Sequence, residues 1–313
     1  MLVTTMEQAM DCDSLSISKV FTESSEPGWI NLVDVPKSRG GTGYDLQNAA
    51  PLPYEIEHAF PDYALYEEFA KTSPYIHGTG RDAYLKASIG FTTRGCFRRC
   101  PFCVNRNKTR VEEASRVSEF YDPTRPYVFL LDDNILGYPK WADVFAQLEE
   151  TGKKISYRQG MDIRLMTHDK AKTLQRIRYW KDIIFAFGNI AESESFVRGA
   201  DIYREHCDKE TMVYCLIGFY KRGLDEIRDF VTRANVCKRY GFFPYVMRHK
   251  DGEHDKYKDI YTQAARFHNQ RSFCRHGSLL EYIRRYGNKT SRALLDNDDE
   301  LRRELNKLVS LDK

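Results

Sequence analysis

Three cysteines stand close together in the sequence at a spacing that suits a metal cluster. Cys96, Cys100 and Cys103 have the pattern C-x3-C-x2-C. A structural zinc site uses four protein ligands, and a fully ligated 4Fe–4S cluster also takes four thiolates. Three ligands with no near fourth therefore favour a 4Fe–4S cluster with one open iron. An open iron can bind and activate a small molecule, so the spacing indicates chemistry rather than a purely structural site.

The other five cysteines are dispersed and indicate no second cluster. They are Cys12, Cys207, Cys215, Cys237 and Cys274, and none forms another C-x2-C pair. The chain length and the lack of a signal-peptide pattern disfavour a disulfide framework. We interpret Cys207, Cys215 and Cys237 as small buried apolar residues and expect one cluster without auxiliary clusters.

Composition places few limits on function. The net charge of +3 over 313 residues neither demands nor excludes a polyanionic partner. No apolar run approaches the roughly 18 residues that would suggest a membrane span. The N-terminus carries acids and lacks the basic and apolar regions of a signal peptide. We therefore expect a cytoplasmic protein with no membrane partner.

From about residue 84, short β-branched or aromatic runs alternate with stretches at helical spacing. The predicted strands are 84–92, 127–132, 154–160, 183–187, 212–218 and 242–247. The predicted helices are 141–151, 170–179, 193–206, 224–240 and 257–269. Six β–α units in series predict an α/β fold with a parallel sheet, curled by right-handed crossovers into a partial (β/α)6 barrel. The cysteines follow the first strand, so we expect them at the barrel mouth, where the strands end.

Three domains are predicted around this barrel. Residues 1–83 form an irregular N-terminal lead-in, with a possible strand at 29–35, a glycine-rich turn at 40–43 and a proline-rich stretch at 51–74. The glycine-rich turn lacks the strand–loop–helix context of a phosphate loop. Residues 84–271 form the core barrel, and residues 272–313 form a helical C-terminal extension with helices at 279–286 and 298–309.

The cysteine spacing, with Phe102 directly before the last cysteine and a six-unit α/β chain around it, resembles the radical S-adenosylmethionine (SAM) superfamily. The resemblance covers roughly residues 84–271. It implies that the three thiolates hold three irons of one 4Fe–4S cluster and that SAM chelates the fourth. The reduced cluster would cleave SAM to a 5′-deoxyadenosyl radical, which takes a hydrogen atom from an unidentified substrate.

The resemblance also implies which residues contact the polar parts of SAM. Asp132, Asp133 and Asn134 follow the second strand, where the family binds the SAM amino group, often through a Gly-Gly-Glu run. A solvated turn with a helix cap is the alternative. Asp162 would bind the ribose hydroxyls and Arg164 the SAM carboxylate, unless the two residues form a plain ion pair.

Three further residues resemble positions near the adenine. Gly218 ends the fifth predicted strand and is either the family's adenine-contacting glycine or a simple turn glycine. Met247 would flank the adenine or pack in the core. Phe102 would offer backbone to the adenine and shield the cluster. Tyr214 and Tyr220 are conceivable hydrogen donors, but nothing in the sequence selects a catalytic residue.

The lead-in points to one branch of this superfamily. The run from Gly40 to Asp45, with Ile56-Glu57-His58, resembles the linker before the barrel in uncharacterised members of the cobalamin-related branch. Only 83 residues precede the predicted barrel, and the cobalamin-ligand motif D-x-H-x-x-G does not occur. We therefore interpret the lead-in as a degenerate remnant and expect no cobalamin.

Basic residues flank the cysteines and allow several partners. They are Arg94, Arg98, Arg99, Arg106, Lys108 and Arg110. They could attract the SAM carboxylate, a phosphorylated substrate or a nucleic acid. The resemblance implies a small electron-donor protein such as flavodoxin or ferredoxin. The small net charge favours a solvated face balanced by acids such as Glu112 and Glu113.

Two other functions remain open at this point. A zinc-binding nucleic-acid module would use the three cysteines with a histidine or Cys274, although the serial β–α pattern disfavours it. A SAM-binding protein without turnover is the other. The histidines, among them His58, His77, His168 and His268, are scattered, and we assign none as a ligand.

Overall fold

The computed structural model describes residues 1–45, 52–105 and 107–308, which form a mixed α/β protein. Its α-helices are α1 (Met6–Met10), α2 (Tyr54–Glu57), α3 (Glu67–Thr72), α4 (Gly78–Lys86), α5 (Val117–Phe120), α6 (Trp141–Glu150), α7 (His168–Arg176), α8 (Ser193–His206), α9 (Gly223–Arg239), α10 (Lys258–His268), α11 (Arg271–His276), α12 (Leu279–Tyr286), α13 (Lys289–Asn297) and α14 (Asp299–Leu305). Its strands are β1 (Leu15–Ser18), β2 (Lys37–Gly40), β3 (Ala87–Gly90), β4 (Thr93–Arg94), β5 (Glu112–Glu113), β6 (Tyr127–Leu130), β7 (Lys154–Tyr157), β8 (Ile183–Ala186), β9 (Thr211–Ile217) and β10 (Phe243–Arg248). Predictions that involve Pro51, Arg106 and residues 309–313 lie outside the described residues.

The chain divides into two compact units, Met1–Ala87 and Ser88–Lys313. In the N-terminal unit, β1 pairs in parallel with β2. The strand predicted at 29–35 is wrong, because Gly28–Leu32 is a 3-10 helix. Ile30 and Val33 are both buried. Their spacing of three suits the period of a 3-10 helix, whereas a strand would point them to opposite faces.

The first predicted strand of the core also begins too early. Tyr84 lies in α4, and β3 starts only at Ala87. Lys86 and Asp82 form an i,i+4 ion pair of 2.9 Å within that helix. This pair and the helix-forming Ala83 and Leu85 outweigh the strand preference of the tyrosine.

The other five core strands occur where they are predicted, and all six stand in chain order. One sheet has the order β3-β6-β7, and a second has the order β10-β9-β8. The pairs β6–β7, β8–β9 and β9–β10 are parallel. Two isolated parallel bridges, Ile155–Tyr179 and Met161–Phe185, lie between β7 and β8. Because parallel strands end at one edge, the loops that follow them meet there.

The core lies between these strands and the crossover helices. Val213, Cys215 and Ile217 of β9 are buried, and the residues between them are only half-buried. The apolar stripe predicted on α9, at Ile227, Phe230, Val231 and Ala234, is buried as expected. Cys207 and Cys237 are buried as well, which confirms the interpretation of these dispersed cysteines as core residues.

The C-terminal helices largely follow the sequence pattern. The helix predicted at 279–286 is α12, and the last predicted helix is α14. The pattern misses α13, whose first turn is capped by Asn288 through a 2.8 Å hydrogen bond from the Ser291 amide. Within the part of the chain that the structure describes, none of the helices has the length and apolarity needed to cross a membrane.

Candidate functional site

The three cysteines lie on one loop whose ends are held together by a two-stranded ribbon. β4 and β5 pair antiparallel, with Thr93 opposite Glu113 and Arg94 opposite Glu112. The Ala114 amide extends this closure by donating to the Thr92 carbonyl at 2.9 Å. The cysteine loop, residues 95–111, therefore begins and ends at fixed backbone positions.

Gly95 allows the two ends of the cysteine loop to approach closely. Its φ is +93°, and a Cβ at this position would lie 2.5 Å from the Arg110 carbonyl oxygen. Arg99, between the first two cysteines, has a φ of +51°. A left-handed conformation is unusual for a residue with a side chain, so the backbone turns sharply between Cys96 and Cys100.

Two of the three thiols accept hydrogen bonds. Cys96 Sγ accepts from the Arg98 amide at 3.5 Å and from Asn134 Nδ2 at 3.4 Å. Cys103 Sγ accepts from the Asn105 amide at 3.4 Å. Donors aimed at sulfur favour the thiolate, and such bonds tune the potentials of iron–sulfur clusters.

Burial opposes ionisation of the thiols in the metal-free chain. All three cysteines are half-buried. Burial raises the pKa of Cys100, and the nearby Glu192 carboxylate adds to this rise. Burial also raises the pKa of Cys103, against the effect of the Asn105 amide. A metal that binds here must displace these protons, because the thiolate is the ligand form.

The three sulfur atoms of the cysteine loop are not all close enough together to bind a single metal ion. In the described part of the chain, one group of three His, Cys, Asp or Glu side chains has ligand atoms within 4.8 Å of one another, and it contains no cysteine. A tetrahedral zinc ion with Zn–S bonds of about 2.3 Å would hold its sulfurs roughly 3.8 Å apart. The three thiols as they stand are thus too widely spaced for one ion.

Asp132 and Asp133 anchor the site to the sheet. Asp132 is buried, and its carboxylate accepts four hydrogen bonds of 2.5–3.1 Å from the amides and hydroxyls of Thr92 and Thr93. Burial raises the pKa of Asp132, and these donors oppose the rise. Asp133 joins both sides of the cysteine loop by accepting from the Gly95 amide at 2.7 Å and from Asn105 Nδ2 at 2.6 Å.

Asn134 is the residue of this run that faces the cysteines with an unused polar atom. Its side chain is buried, and Nδ2 donates to Cys96. Its Oδ1 is buried without a hydrogen-bond partner among the described residues. A buried acceptor without a donor is costly, so this atom suits a ligand that brings an N–H group next to Cys96.

Asp162 and Arg164 form the ion pair that the sequence leaves as an alternative to cofactor contacts. Asp162 accepts from Arg164 Nε at 2.6 Å and from Arg98 Nε at 2.5 Å. Arg164 also pairs with Glu192. Burial works against the charge of Arg164, but the hydrogen bond and charge of Asp162 raise its pKa overall. Through Arg98, this network ties the cysteine loop to the end of β7.

Phe102 packs the cysteine loop onto the ends of β8 and β9. Its ring makes edge contacts with Phe219 and Tyr220, with centroids 5.7 and 6.0 Å away. A Cβ on Gly188 would lie 3.5 Å from the Phe102 ring. Burial and the charge of Cys100 raise the pKa of Tyr220 to about 12. The cysteine loop thus lies against the carboxyl ends of β8 and β9.

Gly218 and Met247 lie at the carboxyl ends of β9 and β10. Gly218 has a φ of +85°, and a Cβ there would lie 3.0 Å from Gly252 Cα. The left-handed turn and this close approach already require glycine, independently of any contact with adenine. Met247 stands beside Leu216 in the register of β9 and β10 and is exposed. Their predicted adenine contacts stay predictions.

The sequence does not reveal two residues that shape the site, Asn105 and Glu192, and gives Arg98 only a general role. Asn105 reaches Asp133, and its only sequence signal is its position two residues after Cys103. Glu192 lies 28 residues from Arg164, and no motif links the two. Arg98 is noted only as one of several basic residues, whereas the structure gives it a specific partner in Asp162.

The basic residues around the loop are partly neutralised by acids. Arg110 pairs with Glu112 at 2.5 Å, as a charge-balanced face requires. Arg94 lies over the Phe91 ring, 4.3 Å from its centroid.

Comparisons with known proteins add no assignment: no protein-family model matches the chain, and no curated protein gives a significant match.

Proposed function

We propose that this chain is a radical SAM enzyme that uses one 4Fe–4S cluster and one SAM molecule in a partial (β/α)6 barrel. The observation that carries the proposal is the set of three half-buried thiols on one closed loop, two of them accepting N–H groups. Their separation disfavours a single zinc ion. The proposal thereby ranks above a zinc-binding module.

The residues around the loop fit the two cofactors. Cys96, Cys100 and Cys103 would hold three irons, and Asn134 Oδ1 offers an acceptor to the SAM ammonium group beside them. When bound, the reduced cluster and SAM supply a 5′-deoxyadenosyl radical that removes hydrogen from the substrate. The chain itself positions these groups and excludes water, chiefly through Phe102 and its aromatic neighbours.

The order of the strands supports the barrel form of the proposal. Six strands follow one another in two sheets, and a helix follows each of the strands from β6 to β10. The bridge at Met161 lies between the two sheets, where the Met161 amide donates to the Ile184 carbonyl at 2.8 Å. A curled sheet of this order would gather the strand ends around the cysteine loop.

The structure refines which predicted residues we assign to SAM. Asp132 already accepts hydrogen bonds from Thr92 and Thr93, and Asp133 already accepts them from the cysteine loop. We therefore assign both residues to positioning the loop. Asp162 already accepts four hydrogen bonds, so a ribose contact requires the pair to rearrange. Arg164 uses three of its five N–H donors on Asp162 and Glu192, which leaves two for the SAM carboxylate. The substrate is unassigned, and a small electron donor such as flavodoxin or ferredoxin is the expected partner.

Anaerobic reconstitution with iron and sulfide tests the proposal. We expect about four irons per chain, a broad visible absorption, and 5′-deoxyadenosine when dithionite and SAM are added. Serine at Cys96, Cys100 or Cys103 should abolish cluster and product, while Cys12→Ser, a half-buried cysteine outside the loop, should preserve both.

Other results would reject it in identifiable ways. Zinc without iron after anaerobic preparation would favour the zinc-binding module. A stable cluster that binds SAM without releasing 5′-deoxyadenosine would make the chain a SAM-binding protein without turnover.

A further inference from the structure

His168, Glu205 and His206 form a second group of metal-binding side chains, away from the cysteine loop. His168 is the first residue of α7, while Glu205 and His206 end α8. His168 Nδ1 lies 2.8 Å from His206 Nε2. The Glu205 carboxylate spans the pair, with one oxygen 3.5 Å from His168 Nδ1 and the other 3.6 Å from His206 Nε2. We infer that these three residues bind one zinc-type divalent ion.

The distances match what a tetrahedral ion requires. Ligand atoms about 2.0–2.1 Å from zinc lie roughly 3.3 Å from one another. The separations here fall on both sides of that value, and those to Glu205 are measured to its two different oxygens. One ligand atom of each residue lies within 4.8 Å of the others, so small side-chain movements would bring all three to one ion. This is also the one group among the described residues whose ligand atoms are mutually close enough for a single ion.

The chemistry of the donors selects the ion. Two imidazoles and one carboxylate form a set that zinc uses with a fourth, open position. His168 and Glu205 side chains are 57% and 59% exposed, so water can fill that position. Calcium and magnesium prefer all-oxygen sites, which this set is not.

The alternative is a metal-free arrangement in which the two imidazoles share a proton. Glu205 would then balance the charge of the protonated pair. In both arrangements the two ring nitrogens face each other, so the contact itself does not discriminate. The difference is whether a divalent ion displaces the proton and binds with one-to-one stoichiometry.

A bound ion would link two helices that flank the candidate site. α8 packs on the Ile163–Leu165 turn, where a Cβ on Gly199 would lie 2.1 Å from the Ile163 carbonyl oxygen. That turn carries Arg164, and Glu192 immediately precedes α8. The ion would therefore link α7 to α8. The inference of this site does not rest on the proposed function.

The test is a titration with Co²⁺, followed by displacement with Zn²⁺, on full-length protein without an affinity tag. Serine at Cys96, Cys100 and Cys103 removes the competing thiols, so the result stands whatever the cysteines bind. We expect saturation at one equivalent, the intense visible band of tetrahedral Co²⁺, and loss of both in His168→Gln, Glu205→Gln and His206→Gln. His254→Gln, an exposed histidine elsewhere, should bind as the parent does.

A second measurement does not depend on the folding of any variant. Zn²⁺ at micromolar excess should raise the melting temperature of the wild-type chain as purified. Absence of saturable binding, or binding that survives in the three glutamine variants, would overturn the inference and leave a proton-sharing histidine pair.

Discussion

The two polar side-chain atoms of Asn134 differ in what they contact. Its Nδ2 donates to Cys96, and its buried Oδ1 has no partner within the described residues. A hydrogen bond to a thiolate raises the reduction potential of a cluster, because it withdraws electron density from sulfur. Under the proposed function, the unused oxygen would instead accept a hydrogen bond from a ligand that carries a positive charge.

Two substitutions at Asn134 separate these roles. Asn134→Leu removes both atoms and should weaken SAM binding about ten- to hundredfold, because a hydrogen bond to a charged group contributes roughly 1.5–3 kcal/mol. Asn134→Asp keeps an acceptor, so SAM affinity should be retained. Both variants lose the Nδ2 donor to Cys96, so both should lower the reduction potential of the cluster. Electron paramagnetic resonance during SAM titration and spectroelectrochemistry give the two readouts. Wild-type SAM affinity in the leucine variant would remove Asn134 from the cofactor site.

At this scale the sequence predicts residue types better than residue roles. The spacing of the cysteines is sufficient to place them together, because they are neighbours in the chain. The role of Asp132 depends on Thr92 and Thr93, which lie 40 and 39 residues away and reach it only through the pairing of the strands. Donors brought by distant backbone leave no periodic signal, so the anchoring role of Asp132 could not be predicted.

At the scale of elements, the ribbon of β4 and β5 keeps the cysteine loop closed. Its tightest point is Gly95 against the Arg110 carbonyl. The ribbon has two residue pairs, and the contacts of Asp133 supplement it from the side. Closure of the loop therefore depends more on the close approach of Gly95 to the Arg110 carbonyl than on the length of the two strands.

Gly95→Ala should open this closure. A methyl group would lie 2.5 Å from a carbonyl oxygen, in a residue that also has a φ of +93°. The control is Gly152→Ala, where φ is +62° and nothing lies within 4 Å. The control should lower the free energy of unfolding by roughly 1–2 kcal/mol through backbone strain alone. Gly95→Ala should lower the free energy of unfolding by more than the control does. It should also reduce the amount of iron bound after reconstitution. Equal iron content in both variants would show that the close approach is unimportant.

The elements themselves are predicted well where periodicity persists over several turns. Helix α8 has the bounds that the pattern gives, because its apolar stripe is long. Strand ends are less accurate: the strand predicted at 154–160 ends at Tyr157, and the next residues turn away before Met161 meets β8. The ribbon is missed, since two-residue strands carry no alternation that could be read.

At the scale of the whole molecule, one buried histidine makes stability depend on pH. His268 is fully buried between Phe230 and Phe267. Burial and the charge of Lys238 lower its pKa to about 3, against the hydrogen bond with the Ala264 carbonyl. The unfolded chain has an ordinary histidine near 6.5. Between these values the unfolded state binds a proton that the folded state excludes, so stability falls as the pH falls.

This histidine should contribute a slope of about 1.4 kcal/mol per pH unit to the free energy of unfolding below pH 6. Urea denaturation of the metal-free chain at pH 5.0 to 7.5 measures it. His268→Gln should flatten the slope whatever it does to the absolute stability, whereas His254→Gln, an exposed residue, should leave the slope unchanged. A glutamine variant as steep as the wild type would place the acid sensitivity elsewhere.

The closed cysteine loop has a consequence for how the protein would acquire its metal. Zinc fingers fold only when metal binds, so metal loss and unfolding are one event. Here backbone pairing and the Asp133 carboxylate close the loop without using the thiols. If the proposed cluster binds here, its oxidative loss should therefore leave a folded chain with the loop still closed, and iron and sulfide added afterwards should restore it.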